Sequence, residues 1–349
     1  MTFFGYWNPK EPTMETDAIT LDHGSGGKLS HRLISETVAP LFDNPILSRL
    51  DDGASLAVDG TRLAFSTDTF VVDPIFFPGG DIGDLAVNGT VNDLAMCGAV
   101  PLYLSVGLII EEGFPQADLK RILQSMRDAA DAAGVAIVTG DTKVVPKGAA
   151  DKIFINTSGI GRIMDGVDVG ARRAAPGDQV ILSGFIADHG MAVLTQREGL
   201  AFDTGLVSDT APLNGLVRQM LSVCTDIHVL RDPTRGGVGS TLNEIADAAR
   251  IGIRIYEDRI PIRDAVAGVC ELLGFDPLYV ANEGKLLAFV PQDRAAAVLE
   301  IMHAHPHGQA AVVIGETVTD HSGRVVMETP IGGTRIVDML AGEQLPRIC

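Results

Sequence analysis

The chain ends in a thiol. Cys349 is the last of 349 residues and follows a segment that contains Gly342 and Pro346. A thiolate is the nucleophilic form of cysteine, and an exposed one invites oxidation, so a free thiol here is either an incidental residue or a swinging covalent carrier. A prenylation box sets its cysteine further from the end, which excludes that modification. The other cysteines, Cys97, Cys224 and Cys270, are far apart and form no C-x-x-C pair, which argues against a zinc site or a disulfide framework; they are expected to be reduced and buried.

Aspartates form the second constellation. Asp51, Asp52, Asp68 and Asp141 fall at the ends of predicted elements, where carboxylates from distant parts of a chain can gather around a hard divalent cation such as Mg2+. A cap or a turn uses the same residue type. Asp93 is less ordinary, because it shares an otherwise apolar helical stretch with Asn88 and Asn92, and a charge there is costly unless it is paired or bound to metal. The glycine-rich turn His23-Gly24-Ser25-Gly26-Gly27-Lys28 has bare N–H groups suited to phosphate oxygens. It is not a Walker A loop, since Asp22 and Leu29 occupy positions that need Gly and Ser or Thr, and Leu29 also breaks the dinucleotide fingerprint. Gly140-Asp141-Thr142-Lys143 and Arg231-Asp232-Pro233-Thr234-Arg235-Gly236-Gly237 are further anion-site candidates, the latter running into a helix. Asn282-Glu283-Gly284-Lys285 offers a carboxylate able to act as a general base. Asp188-His189-Gly190 opens a helix, where histidine is as well suited to structure as to catalysis.

The elements that must position these residues follow from periodicity. Strands are predicted over 62–67 and 152–160, with helices over 82–97 and from Pro115 to a stop at Gly134. Val135–Thr139 reads as a buried strand leading into Gly140. The turn Ala174-Ala175-Pro176-Gly177-Asp178 marks a boundary. Helices are then expected near 190–198, 212–223 and 239–250, with strands near 286–290 and 311–314. The organisation expected is an arm over 1–16 containing Trp7, an N-terminal domain over 17–173, a C-terminal α/β domain over 174–335, and a tail over 336–349 read as a short helix with a flexible end. The fold class is α+β. A net charge of −18 disfavours nucleic acid as a partner, and no signal peptide or membrane span is read, so a cytoplasmic location is expected.

Taken together, His23 to Lys28, Ser66-Thr67-Asp68, Asn92-Asp93, Gly140 to Lys143, Asp232 to Gly237, Asn282 to Lys285 and the terminal Pro346-Arg347-Ile348-Cys349 resemble the HypE family of hydrogenase maturation proteins over about residues 18–349. The Pro-Arg-x-Cys end separates that family from other members of the aminoimidazole ribonucleotide synthetase-like superfamily, such as selenophosphate synthetase and thiamine-monophosphate kinase. The resemblance implies a two-domain fold of that superfamily, with the N-terminal domains of a homodimer pairing into a β-barrel. It also implies ATP and Mg2+ as cofactors, and an ATP-dependent carbamoyl dehydratase. In that reaction the carbamoyltransferase HypF loads Cys349, the S-carboxamide is dehydrated to an S-cyanate, and a HypC–HypD complex takes the cyano group for the iron of a nickel–iron hydrogenase.

By the same resemblance Glu283 is the base, Lys143 holds the carboxamide, and Asn282 belongs to the catalytic set. Gly24, Ser25, Gly26, Gly27, Lys28, Asp68, Asn92, Asp93, Gly140, Asp141 and Thr142 contact the nucleotide, while Asp51, Asp68, Asp93, Asp141 and Asp232 serve the metal. Residues 1–16 lie outside the resemblance, and Ala187 replaces the glycine expected before Asp188. A small-molecule kinase or synthetase of the same superfamily and a nucleotide-dependent scaffold are the alternatives.

Overall fold

A computed structural model of the chain describes residues 18–42, 44–200, 205–342, 345 and 347–349. The arm over 1–16, with Trp7, and Pro346 lie outside the described residues. The first domain is built on strands β1 (Ala54–Val58), β2 (Thr61–Phe70), β3 (Ala99–Glu111), β4 (Ala136–Val145) and β5 (Ile153–Ile163), in the order β1-β2-β5-β3-β4. All neighbours are antiparallel except β3 and β4, which run parallel. Helices α1 (Ile82–Met96) and α2 (Gln116–Ala133) cover one face, against which Leu104, Val106, Leu108, Ile110, Ile153 and Ile155 are buried.

The other face is uncovered and carries large apolar groups: Phe65, Tyr103 and Ile109 are all exposed. Strand β4 departs most from expectation. It does not stop at Thr139 but runs on through Gly140-Asp141-Thr142-Lys143, and it is exposed rather than buried. Its apolar run resembles a core strand, yet among the described residues it pairs only with β3 and forms the edge of the sheet.

The second domain holds a seven-stranded sheet. Its strands are β6 (Gln179–Leu182), β7 (Val229–Arg231), β8 (Gly252–Tyr256), β9 (Leu287–Val290), β10 (Val312–Val318), β11 (Arg324–Glu328) and β12 (Thr334–Val337), in the order β12-β11-β8-β10-β6-β9-β7. Helices α3 (Asp188–Arg197), α4 (Asn214–Val223), α5 (Gly237–Ala249), α6 (Asp264–Leu273) and α7 (Gln292–Ala304) pack around it. The short helix expected from Ile336 is not formed. Ile336 instead pairs with Val326 in β12, because the alternating Thr-Arg-Ile-Val run fits a sheet edge. The domain's sheet therefore crosses the boundary read at residue 335. Cys97, Cys224 and Cys270 are free and buried, and no helix among the described residues is long and apolar enough to cross a membrane.

Helix α1 matters most to the site, and its start is fixed by Asp81. That carboxylate accepts from the Gly83 and Asp84 N–H groups at 2.7 and 3.3 Å and from the Ser125 hydroxyl of α2 at 2.5 Å. Asp81→Ala is expected to lose the cap and destabilise the protein by about 1 to 2 kcal/mol. The check is thermal unfolding, and an unchanged midpoint would contradict the capping role.

Candidate active site

Helix α1 can hold polar side chains in an apolar setting because the second domain meets them. The buried Asn92 Nδ2 donates to the carbonyls of Ala211 and Glu283 at 3.1 and 3.3 Å, and Oδ1 accepts from the Leu213 N–H at 2.8 Å. Both ends of the amide are engaged, so Asn92 ties the domains together and holds the Glu283 main chain. Asn282 is similar. Its Oδ1 accepts from the Ala187 N–H at 2.7 Å and its Nδ2 donates to the Pro233 and Val280 carbonyls at 2.9 and 3.0 Å. Fully buried, it is a brace beside the reacting groups.

Glu283 itself is 4% exposed, and its Oε1 has no hydrogen-bond partner among the described residues. Its backbone is fixed from two sides, by Asn92 and by Asp209, whose Oδ1 accepts the Glu283 N–H at 3.1 Å. Asp209 pairs with Lys285 at 3.0 Å. Burial pushes Asp209 up, but Lys285, the Glu283 N–H and its other neighbours together outweigh it and hold the carboxyl below its ordinary value. Gly284 is required here, since a Cβ would stand 1.8 Å from the Asp209 carbonyl oxygen. Asp209 escapes the sequence reading because it lies in no glycine-rich or helix-start context, and Lys285 enters it only as the end of the Asn282-to-Lys285 segment.

Around Glu283 gather the carboxylates that the sequence nominated. Asp93 accepts from the Ser66 hydroxyl at 2.7 Å. Burial pushes it well above the usual carboxylate range, and Asp232, Asp68 and Asp52 push it further. Asp232 is raised to about 6, chiefly by burial, with Arg231 opposing. Asp68 is raised by burial against Arg235, and Glu283 is raised well above its ordinary value by burial and then by Asp68, Asp232 and Asp209. Asp52, on the neighbouring loop, is held by Arg231 at 2.8 Å, and Arg231 also binds Glu244 at 2.7 Å. Asp51 stands beside this pair, accepting from the Ala171 N–H at 3.4 Å.

Arg235 is the group that joins the site together. It interacts electrostatically with Cys349, Asp68, Glu283 and Asp93, and its guanidinium donates to the Gly24 carbonyl at 3.2 Å. It lines two cavities. One, of about 820 Å³, is bounded by Gly26, Asp51, Asp52, Ser66, Thr67 and Arg231, which is a volume suited to a nucleotide. The other, of about 60 Å³, is bounded by Gly24, Ser25, Gly236 and Cys349. The sequence marked 231–237 as an anion segment but singled out only Asp232 from it. The glycine turn packs directly on this segment: Gly26 has φ +74° and lies so close that a Cβ would sit 2.7 Å from the Arg235 carbonyl oxygen. Gly27 abuts the Leu340 carbonyl. Lys28 is engaged on the surface by Asp338 at 2.6 Å and does not line either cavity.

Two expected participants lie elsewhere in the single chain. Asp141 and Lys143, with Gly140 and Thr142 between and beside them, are on exposed β4, where the two charges pair with each other at 2.7 Å. Hydrogen bonding from Lys143 holds Asp141 below its ordinary value. They are absent from the cluster because β4 is a sheet edge rather than a buried strand. Cys349, by contrast, reaches the site. Its thiol packs against the first domain's core, and burial pushes its pKa up, with Arg235 opposing.

The donor set is one of hard carboxylate oxygens that repel one another, which suits Mg2+. Among the described residues no three His, Cys, Asp or Glu side chains converge into a closed cage. Asp68, Asp93 and Asp232, which interact electrostatically, are the carboxylates that could lend one or two oxygens to an ion held otherwise by phosphate and water.

Comparisons with known proteins agree with this architecture. Residues 50–163 match the family of AIR synthase related proteins, N-terminal domain, and residues 175–328 match its C-terminal domain. The carbamoyl dehydratase HypE of Rhizobium leguminosarum bv. viciae is 55% identical over 332 residues, covering 95% of each chain. A crystal structure of the hydrogenase maturation protein HypE in complex with ATP superposes with a TM-score of 0.81 at 52% identity, over 95% of this chain and 100% of that one. HypE in a HypE–HypF complex gives 0.85 at 51% identity, over 88% of this chain and 99% of that one.

The raised Asp232 has a measurable consequence. With its folded-state value near 6 against 3.8 when free, it withdraws stability as pH rises between those values, because the unfolded chain ionises freely while the folded one does not. Asp232→Asn removes that dependence. Its stability relative to the parent should rise from about pH 4 to about pH 6 and then level off, read from thermal unfolding without Mg2+; a difference that falls with pH would contradict the assignment.

Proposed function

Because this chain belongs to the HypE family of carbamoyl dehydratases, we propose that it dehydrates an S-carboxamide on its own Cys349 to an S-cyanate with ATP. The observation that carries this reading is the place of Arg235: it lines both the nucleotide-sized cavity and the small one that Cys349 lines, and it interacts electrostatically with Cys349 and with Glu283, whose Oε1 has no hydrogen-bond partner among the described residues. The HypE–HypF complex supports a HypF-type carbamoyltransferase as the source of the carboxamide. A HypC–HypD complex is the acceptor of the cyano group for the nickel–iron centre.

The carboxamide oxygen is a poor leaving group until it is phosphorylated. It attacks the γ-phosphorus of ATP, the bond to the β-phosphate oxygen breaks, and ADP leaves. Removal of the N–H protons then forms the C≡N bond while the C–O bond breaks and phosphate departs with the carboxamide oxygen. Glu283 takes one of the two N–H protons, and the other leaves with the departing phosphate. Burial and the neighbouring carboxylates raise the affinity of Glu283 for protons, which makes it a stronger base than an exposed glutamate, and its main chain is held from two sides. Arg235 lies where the phosphoryl group passes from one cavity to the other and offsets its charge. Asp68, Asp93 and Asp232 are the residues that would hold Mg2+, which would supply neutralisation of phosphate charge.

The uncovered face of the first domain is explained by a homodimer in which those faces meet in a β-barrel. Exposed Phe65, Tyr103 and Ile109 form an apolar surface that a second copy would bury, and the charged edge strand β4 lies beside it. In that assembly Lys143 and Asp141 serve a site formed between subunits.

Peptide mass spectrometry tests the reading. The Cys349 peptide of the carbamoylated protein should lose one water only when ATP is present; the same loss at another residue, or none, would overturn it. Glu283→Gln is expected to slow that loss by about 10²- to 10⁴-fold while leaving carbamoylation intact. Arg235→Ala should cost roughly 10³-fold.

A further inference from the structure

The last three residues are held by groups that take no part in the reacting cluster. A terminal carboxylate oxygen of Cys349 and the carbonyl of Arg347 accept from the Val71 and Asp73 N–H groups at 3.0 and 3.1 Å, in the two-residue spacing of a strand pair. The Arg347 carbonyl also accepts from Arg197 at 2.8 Å, and Arg197 reaches on to the Asp73 carbonyl at 2.6 Å. Between them, the Ile348 carbonyl lies 2.7 Å from His189 Nε2, and Ile348 is 3% exposed. The Arg347 side chain turns back to the Val71 carbonyl at 2.9 Å and to Asp151.

The chemistry of these partners fixes the direction of each bond. A carbonyl can only accept, so His189 carries its proton on Nε2. The ring is fully buried and edge-on to Phe77, and burial lowers its pKa, which favours the neutral tautomer whose Nδ1 accepts. Ser208 then donates to Nδ1 at 2.8 Å, while its oxygen accepts the Thr210 N–H at 3.1 Å. One chain of donors thus runs from Thr210 through Ser208 and His189 to the tail. Arg347 has φ +52°, a left-handed conformation unfavourable for a residue with a side chain, so the bend persists only while its contacts hold.

We propose that His189, oriented by Ser208, and Arg197 form a latch that docks the tail by its main chain and sets the balance between a docked state that dehydrates and a released state that is loaded. The capture of carbonyls rather than of the thiol matters: the latch holds the tail alike whether Cys349 is free, carbamoylated or cyanated. These are positioning residues, and their role in turnover rests on the function proposed above.

The test separates docking from chemistry. A small alkylating reagent should modify Cys349, read by peptide mass, about tenfold faster in His189→Leu than in the parent, the equivalent of one buried hydrogen bond. In the same variant, ATP-dependent water loss from pre-carbamoylated protein should slow by a similar factor, while carbamoylation by the transferase stays equal or quickens and ATP affinity is unchanged. His189→Gln, which restores a donor, should recover much of both. Should His189→Leu fail to fold, Ser208→Ala and Arg197→Met carry the same expectations. Parental rates of alkylation in folded variants, or parallel slowing of loading and dehydration, would overturn the latch. A parent that alkylates slowly but loses no water with ATP would instead sink the proposed function and leave docking standing.

Discussion

An excess of buried negative charge governs this molecule. Asp52, Asp68, Asp93, Asp232 and Glu283 are drawn towards one another at the junction of the two domains, faced by Arg231 and Arg235. Carboxylates in such a place repel one another and lose hydration, so most of them hold protons more tightly than in water. The arrangement is unfavourable for an empty protein and favourable for one that receives a cation with its phosphates. Arg231 is consumed by Asp52 and Glu244, which leaves Arg235 as the positive charge that faces both cavities.

Holding that junction requires rigid connections that are not themselves charged. Asn92 and Asn282 provide them, each spending its whole amide on backbone groups, and Asp209 with Lys285 anchors the Glu283 loop from the other side. The cost of the design surfaces at Ala187, a non-glycine residue at φ +70° whose N–H is needed by Asn282. Family resemblance led to a glycine there; the alanine adopts the same left-handed bend, held by the asparagine and by the burial of its methyl group.

Much of this was legible in the sequence because it was chemically out of place. Asp93 in an apolar helix, Glu283 between amide and ammonium, and a thiol at the chain end each stood out, and periodicity located α1, α2, β2 and β5 closely. Other features were hidden by non-local pairing. Strand β4 has the composition of a core strand, and only its position at the sheet edge exposes it. Ile336 joined a strand because β11 lies beside it. Asp209 and Lys285 meet through a turn that no local pattern announces, and the role of His189 depends on the tail returning to it from 159 residues away.

The central claim is that phosphorylation turns the carboxamide oxygen of Cys349 into a leaving group inside this junction. The most direct measurement loads Cys349 with a carbamoyl group carrying heavy oxygen, adds ATP, and follows the label. The account predicts that the heavy oxygen leaves in inorganic phosphate, in step with loss of water mass from the Cys349 peptide. Its release into water, with unlabelled phosphate, would contradict the account.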